Sequence, residues 1–199
     1  MTKKILIIDN DVSLLAKLKI NINEFEVETT STVEDAISLI ENGNFSFIVA
    51  DIKLDKGKLG YSVFDKLFFK GRYVPGIVIT AYELTDGQEE ELQKLGVEKL
   101  EKVGVKGTLS SRIQSRANEI LNDRRKKYAG IIKKIEEYGL ENSNASHNGK
   151  TRTINSWMKI ILNDSMSIEE EENTINSIIT ISNVLIKRNN TKDYDFPQI

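Results

Sequence analysis

The sequence contains no cysteine, one histidine and two prolines among its 199 residues. Without cysteine the chain has neither a disulfide framework nor a thiolate nucleophile, and this composition is typical of a reducing compartment. Because His147 is the only histidine, a metal site built from several histidines is excluded as well. The longest apolar runs have about six residues, against the roughly 20 that a membrane-spanning helix needs. The apolar stretch 5–8 is too short for a signal-peptide core, so we expect a cytoplasmic protein without a membrane segment.

Neither sign of charge dominates the sequence. The chain carries 28 basic and 30 acidic residues, a formal net charge of −2. Nucleic-acid binding would therefore need a local basic patch. The basic segment 124–127 is not predicted to be one, because residues 123–199 contain 12 basic and 11 acidic residues. The length favours one main domain with a smaller appendage.

Short β-branched runs alternate with longer amphipathic stretches up to residue 121. The runs predict strands at 4–9, 25–30, 45–51, 76–80 and 97–101. Apolar residues at three- and four-residue spacing predict helices over 12–21, 32–42, 61–69 and 84–95. Strands that alternate with helices and are continuously apolar are typical of a doubly wound parallel sheet covered on both faces. The fold class is therefore α/β with a five-stranded parallel sheet, whose functional site lies beyond the carboxyl ends of the strands.

After Leu109 the pattern changes, and no further strand is predicted. The apolar spacing predicts that the last helix of the sheet domain continues to about Tyr138, and residues 139–152, rich in asparagine and serine, predict a loop. A short helix over 153–162 and a longer one starting at a capping box at Ser167 complete the chain. We expect a sheet domain at 1–121 and a small all-α domain at 122–199. A unit of about 75 residues is marginal alone, so we also expect self-association or a protein partner for its isoleucine-lined helix.

Polar side chains follow three of the predicted strands. Asp9 ends the first, Asp51 the third and Thr80 the fourth. In a parallel sheet these ends share one edge, so the two carboxylates are expected to lie close together. Neighbouring carboxylates repel each other, and a bound hard cation such as Mg²⁺, which prefers oxygen ligands, would offset that repulsion. Such a site suits phosphate chemistry, because a hydroxyl and a lysine can bind phosphoryl oxygens there.

These residues form a spaced set that is similar to a known family. The set consists of the segment 7–11 (Ile-Ile-Asp-Asn-Asp), Asp51, Gly60 in the following loop, and the segment 79–81 (Ile-Thr-Ala). In this respect residues 3–121 resemble the receiver domain of two-component response regulators, which has a flavodoxin-like sheet. The resemblance implies that Asp51 accepts a phosphoryl group from a sensor histidine kinase or a phosphotransfer protein.

The resemblance also implies roles for the surrounding residues. Thr80 would act as the switch hydroxyl and Lys102 would bind the phosphoryl group. The implied ligands of Mg²⁺ are side-chain oxygens and one backbone carbonyl, from Asp9, Asn10, Asp51 and Lys53. Catalysis would amount at most to self-phosphorylation from a phosphodonor and autodephosphorylation.

Several positions depart from the family pattern. Asn10 stands where receivers usually carry a second acid, which predicts weaker metal binding. Asp55 replaces a usual proline, Val103 follows Lys102 in place of another, and the last strand has no aromatic residue at the usual switch position. Two rival lysines for the phosphate-binding role are Lys99 and Lys106. A degenerate receiver that binds proteins without being phosphorylated therefore remains an alternative.

Three hypotheses compete for the helical half. The first is an interaction or dimerisation module that makes the protein a homo-oligomer or joins it to a partner. The second, which is not favoured, is DNA binding through a helix-turn-helix at residues 149–159. The third is phosphotransfer through His147, because residues 146–151 resemble the histidine box of sensor kinases.

Overall fold

Five parallel strands form the centre of the main domain in a computed structural model. The structure describes residues 3–54, 59–103, 107–163 and 166–192. In the order β2-β1-β3-β4-β5, the strands are β1 (Lys4–Ile8), β2 (Glu26–Thr30), β3 (Phe47–Asp51), β4 (Gly76–Thr80) and β5 (Glu98–Glu101). This is the doubly wound sheet that the sequence predicted. Strands β3 and β4 are buried along their whole length, in agreement with their continuously apolar sequences.

Helices cover both faces of the sheet. They are α1 (Val12–Asn21), α2 (Val33–Asn42), α3 (Ser62–Phe69), α4 (Asp86–Leu95) and α5 (Leu109–Asn122). Alternate residues of the strands point to opposite faces, so Leu6 and Ile48 pack with α2, α3 and α4, whereas Ile7 and Val49 pack with α1 and α5. Two separate hydrophobic cores result, and they hold the carboxyl ends of the strands in fixed register.

The chain does not continue as one helix to Tyr138, as the sequence had suggested. Helix α5 ends at Asn122, and Asp123 takes an extended conformation. The Asp123 carboxylate accepts hydrogen bonds from the backbone N–H groups of Arg125 and Lys126, so it caps a new short helix, α6 (Arg124–Lys127). Helix α7 (Ala129–Glu137) follows. Helices α5 and α7 both carry the apolar periodicity, and the capping aspartate between them interrupts the helix.

The predicted loop at 139–152 contains a β-hairpin. Strand β6 (Asn144–His147) pairs antiparallel with β7 (Lys150–Thr153) through a two-residue turn, Asn148-Gly149. Both turn residues have positive φ angles, 49° and 73°, which asparagine and glycine adopt more readily than other residues. This rules against the helix-turn-helix that was considered as an alternative at 149–159, since residues 150–153 form a strand where its turn would lie. His147 lies on that hairpin, so it does not project from a helix as the phosphotransfer hypothesis required.

The C-terminal region is built around a third hydrophobic core, which also takes in Phe68 of α3. It comprises α7, the hairpin, α8 (Ile154–Leu162) and α9 (Ile168–Lys192), and we call it the C-terminal module. The isoleucine face of α9 packs against α7 and α8 in this core, burying Ile175, Ile178, Ile179 and Ile186. The isoleucine face is thus covered within the chain itself. Self-association or a protein partner stays a prediction that the burial of this face no longer requires. No helix in the described ranges is both long and apolar enough to cross a membrane.

The C-terminal module is joined to the sheet domain by close contacts. The side-chain amide of Asn183 on α9 donates to the carbonyl of Phe68 at 2.9 Å, and the Tyr73 hydroxyl donates to the carbonyl of Lys127 at 2.8 Å. Gly96, after α4, and Gly130, in α7, meet so closely that a Cβ on Gly96 would lie 2.5 Å from the nitrogen of Gly130. The two parts therefore pack backbone against backbone at this point.

Candidate functional site

Three charged side chains meet beyond the carboxyl ends of the strands. Asp9 follows β1, Asp51 is the last residue of β3, and Lys102 follows β5. The Lys102 ammonium lies 2.7 Å from Asp9 Oδ2 and 3.0 Å from Asp51 Oδ1. The side chains of Asp9 and Asp51 are only 0% and 9% exposed. The predicted convergence of the two carboxylates is found, and the lysine lies between them.

Burial sets the electrostatics of this cluster. Removal from water raises the pKa of Asp51, the ion pair with Lys102 opposes the shift, and the charge of Asp9 adds to it. For Lys102 burial alone would lower the pKa, but hydrogen bonds to the two aspartates outweigh burial and raise it. Two carboxylates and one ammonium leave one negative charge in a nearly closed site. A further cation would offset this remaining negative charge.

The lysine at this site is held by a residue that the sequence analysis missed. Arg112, on α5, donates from its guanidinium to the carbonyls of Glu101 at 2.8 Å and Lys102 at 3.0 Å. The backbone N–H of Lys102 donates to the carbonyl of Thr80 at 2.6 Å. These bonds fix the chain after β5, although no proline follows Lys102. The rival Lys99 is exposed and pairs with Glu89 at 3.4 Å, whereas Lys106 lies outside the described residues.

Gly60 shapes the loop that borders Asp51. Its backbone N–H donates to the carbonyl of Ile52 at 3.1 Å. A Cβ at this position would lie 1.9 Å from the carbonyl oxygen of Asp51, so any side chain would push the loop away from the strand end. The glycine noted in the sequence is thus required by close backbone approach. Asp55 lies outside the described residues.

Thr80 lies one residue beyond the position of β4 that pairs with Asp51. Its side chain is buried, and its hydroxyl accepts from the backbone N–H of Tyr82 at 3.0 Å and lies 3.1 Å from the Tyr82 carbonyl, to which it donates. The ring of Tyr82, which is 64% exposed, lies under the ammonium of Lys53 at 4.7 Å. The Thr80 hydroxyl is therefore tied to the loop that leads into α4.

The four predicted metal ligands differ in burial: Asp9 and Asp51 are buried, whereas Asn10 and Lys53 are exposed. Asp9 Oδ2 is buried, and apart from its ion pair with Lys102 it accepts no well-aligned hydrogen bond; Asp9 Oδ1 accepts from the N–H of Asp11 at 2.8 Å. Asn10 is exposed, and the Lys53 side chain turns to Tyr82. The described residues contain no group of three or more histidine, cysteine, aspartate or glutamate side chains that could hold a metal. Two carboxylates with an incompletely hydrogen-bonded oxygen fit Mg²⁺, provided that amide, backbone or water oxygens complete the shell.

The fold is that of known receiver domains. The signal receiver domain of a Vibrio parahaemolyticus protein assigned as a Luxo repressor matches with a TM-score of 0.54 and 23% identity, over 66% of this chain and 98% of its own. A CheY-like receiver domain protein from Methanospirillum hungatei JF-1 matches with a TM-score of 0.53 and 23% identity, over 65% of this chain and 100% of its own. The chemotaxis protein CheY4 of Vibrio cholerae matches with a TM-score of 0.51 and 20% identity, over 58% of this chain and 98% of its own.

Sequence comparison alone gives no such match. Neither the protein-family models nor the curated proteins match this chain. At identities below a quarter, the structural matches show that the sheet domain has the CheY-like receiver fold, as the sequence motifs predicted. The three matches described above cover 58–66% of the chain, so the role of the C-terminal module must be argued from its own residues.

Proposed function

We propose that this protein is a response regulator whose receiver accepts a phosphoryl group on Asp51 from a phosphohistidine of a sensor kinase or phosphotransfer protein. The observation that carries the proposal is the position of the Lys102 ammonium, within 3.0 Å of an oxygen of each buried aspartate. A carboxylate whose pKa is raised remains the more basic nucleophile, and a cation beside it can bind an incoming phosphoryl oxygen.

The transfer step uses side chains that the fold already holds together. A carboxylate oxygen of Asp51 forms a bond to phosphorus while the bond from phosphorus to the histidine nitrogen breaks, and the imidazole leaves. Lys102 then pairs with a phosphoryl oxygen, and the Thr80 hydroxyl can donate to another once it leaves Tyr82. Asp9, Asp51 and oxygens of Asn10 and Lys53 would hold Mg²⁺, which supplies positive charge against the phosphoryl oxygens.

Asn10 provides a test of the metal part of this proposal. An amide oxygen carries no full charge, so Asn10→Asp is expected to tighten Mg²⁺ binding by about tenfold, equivalent to about 1.4 kcal/mol. Titration calorimetry of the wild type and the variant measures the difference, with Asn21→Asp, an exposed residue at the end of α1, as the control. Equal or weaker affinity in Asn10→Asp would show that Asn10 does not face the metal.

A path from the site to the C-terminal module runs through helix α4. When Thr80 turns to the phosphoryl group, the backbone of Tyr82 loses both contacts with the hydroxyl, and the segment that leads to α4 is released. At its far end, α4 reaches Gly96, whose backbone lies directly against Gly130 in α7. Because atoms in close contact cannot move independently, a shift of α4 is transmitted to α7.

The only tryptophan of the chain reports on this relay. Trp157 is buried in the C-terminal module, its indole N–H donates to the carbonyl of Ala145 at 2.9 Å, and the Arg152 guanidinium lies 5.4 Å from its ring. Beryllofluoride with Mg²⁺, which imitates the phosphoryl group on Asp51, is expected to change the intensity or wavelength of its emission. The Thr80→Ala variant should lose most of that change while still binding beryllofluoride.

A phosphorylation-independent receiver is the second candidate. The observation in its favour is Asn10, since the site has one acid fewer than its relatives usually have, and Lys102 already neutralises much of the remaining charge. In that case beryllofluoride would leave Trp157 emission unchanged in the wild type. The C-terminal module would then act as a fixed binding surface.

A further inference from the structure

A cavity lies between the sheet domain and helices α6 and α7, next to the contact of α4 with α7. Its volume is about 440 Å³, a size within the range of small-molecule sites. One wall comes from the sheet domain and is mainly apolar, with Phe64, Pro75, Leu92 and Val97. The opposite wall comes from α6 and α7. Asp51 is not among the residues that line the cavity.

The charges of the lining residues are strongly one-sided. The wall formed by α6 and α7 contributes four basic residues, Arg125, Lys126, Lys133 and Lys134, whereas Glu98 is the only acidic residue among the described residues of the lining. Glu98 is already paired with Arg116. The cavity therefore combines an apolar wall with a wall that carries basic side chains, a combination that suits a ligand with an apolar body and an acidic group.

The four cations differ in what they already bind. Lys134 pairs with Asp65 at 2.8 Å, Lys133 with Glu136 at 3.3 Å, and Lys126 with Glu119. The guanidinium of Arg125 is exposed, and within the described part of the chain it has no ion pair or hydrogen bond. An unpaired guanidinium has five donors in a plane that matches a carboxylate with two parallel hydrogen bonds.

We propose that this cavity binds a small organic carboxylate with an apolar body, the carboxylate pairing with Arg125 and the body lying against Phe64 and Leu92. An inorganic anion would leave the apolar wall in water, and a neutral apolar molecule would gain no charge-assisted hydrogen bond from Arg125. Since the cavity lies where α4 meets α7, its ligand would bind both parts of the protein at once. The inference is independent of phosphorylation at Asp51.

Calorimetric titration of the full chain tests the proposal. Octanoate and 1-naphthoate represent aliphatic and aromatic carboxylates, and octanol is the uncharged counterpart. We expect saturable binding of at least one carboxylate at one site per chain, with octanol bound at least about tenfold more weakly. Arg125→Gln should weaken carboxylate binding by at least about tenfold and leave octanol unaffected. The matched control is Lys159→Gln, at an exposed lysine of α8 that does not line the cavity, which should bind as the wild type does.

Two results would overturn the inference. One is the absence of saturable binding of both carboxylates to the wild type. The other is carboxylate binding of equal strength in Arg125→Gln, which would place the ligand elsewhere. Both variants change an exposed side chain, and a thermal melt of each free protein verifies that the fold is retained.

Discussion

Replacing Lys102 by methionine is expected to slow phosphorylation of Asp51 by at least about 100-fold, because the variant loses the positive charge that binds the transferred phosphoryl group. Methionine keeps most of the apolar length of the side chain, so the loss of charge is the main change. Incorporation of phosphate from acetyl phosphate, followed over time by intact mass, gives the rate. The matched control is Lys99→Met, on the same strand region but paired with Glu89 at the surface, which should react at the wild-type rate.

The same variant should have a distinct dependence of stability on pH. Without Lys102, the buried carboxylates of Asp9 and Asp51 lose their shared cation. The interaction that opposes the effect of burial on Asp51 is then gone, so the pKa of Asp51 rises further than in the wild type. A carboxyl group whose pKa is raised on folding destabilises the protein when ionised, and this cost disappears as the pH falls through the raised pKa. Lys102→Met should therefore be least stable relative to wild type near neutral pH and should recover below it. If Lys102→Met is phosphorylated at the wild-type rate, Lys102 has no role in the phosphorylation mechanism.

Replacing Glu171 by glutamine is expected to destabilise the C-terminal module by about 3 kcal/mol. Glu171 lies in the first turn of α9 and is 2% exposed. Its carboxylate lies 2.7 Å from the Arg124 guanidinium and 2.8 Å from the Lys127 ammonium, and it accepts a hydrogen bond from Tyr128. Arg124 also donates to the carbonyl of Ile161 at 2.7 Å, so the cluster joins α6, α8 and α9. Glutamine fits the space but leaves two cations without their anion.

The effect of Glu171→Gln should depend on pH. Burial alone would raise the pKa of Glu171, but the hydrogen bonds from Lys127 and Tyr128 outweigh burial and lower it below the ordinary value of 4.5. Its stabilising contribution is thus complete above that value and is lost as the pH falls through the lowered pKa. Thermal melts should show a wide gap between wild type and variant at pH 7, narrowing in acid. The control Glu172→Gln, at the exposed neighbour, should melt with the wild type; a similar loss there would contradict the role of the cluster.

The sheet and the positions of its acidic residues could be predicted because their causes are local. A strand that is buried on both faces requires a continuous apolar run, and a parallel sheet brings every strand end to one edge. Asp51 was therefore identifiable from the residues before it. Lys102 could be separated from Lys99 only in three dimensions, because Lys99 lies on the exposed face of β5 whereas Lys102 comes after the strand has ended.

The missed features depend on residues far apart in sequence or on weak local patterns. The hairpin strands Asn144–His147 and Lys150–Thr153 are short and polar, with Ala145 as their one buried apolar residue, so they lack the alternation that marks a strand. Their signal was the Asn-Gly pair at the turn. Arg112 reaches Lys102 from ten residues away, and Glu171 reaches Lys127 from 44 residues away. Neither pairing has a signature in a single sequence.

The central claim is that Asp51 accepts a phosphoryl group, and intact mass spectrometry tests it most directly. The wild-type chain is incubated with acetyl phosphate and Mg²⁺, in parallel with Asp51→Asn and with Asp11→Asn, an exposed acid near the same edge. We predict a mass increase of one phosphoryl group in the wild type and in Asp11→Asn, and none in Asp51→Asn. An unchanged wild-type mass with several phosphodonors, or an equal increase in Asp51→Asn, would contradict the claim.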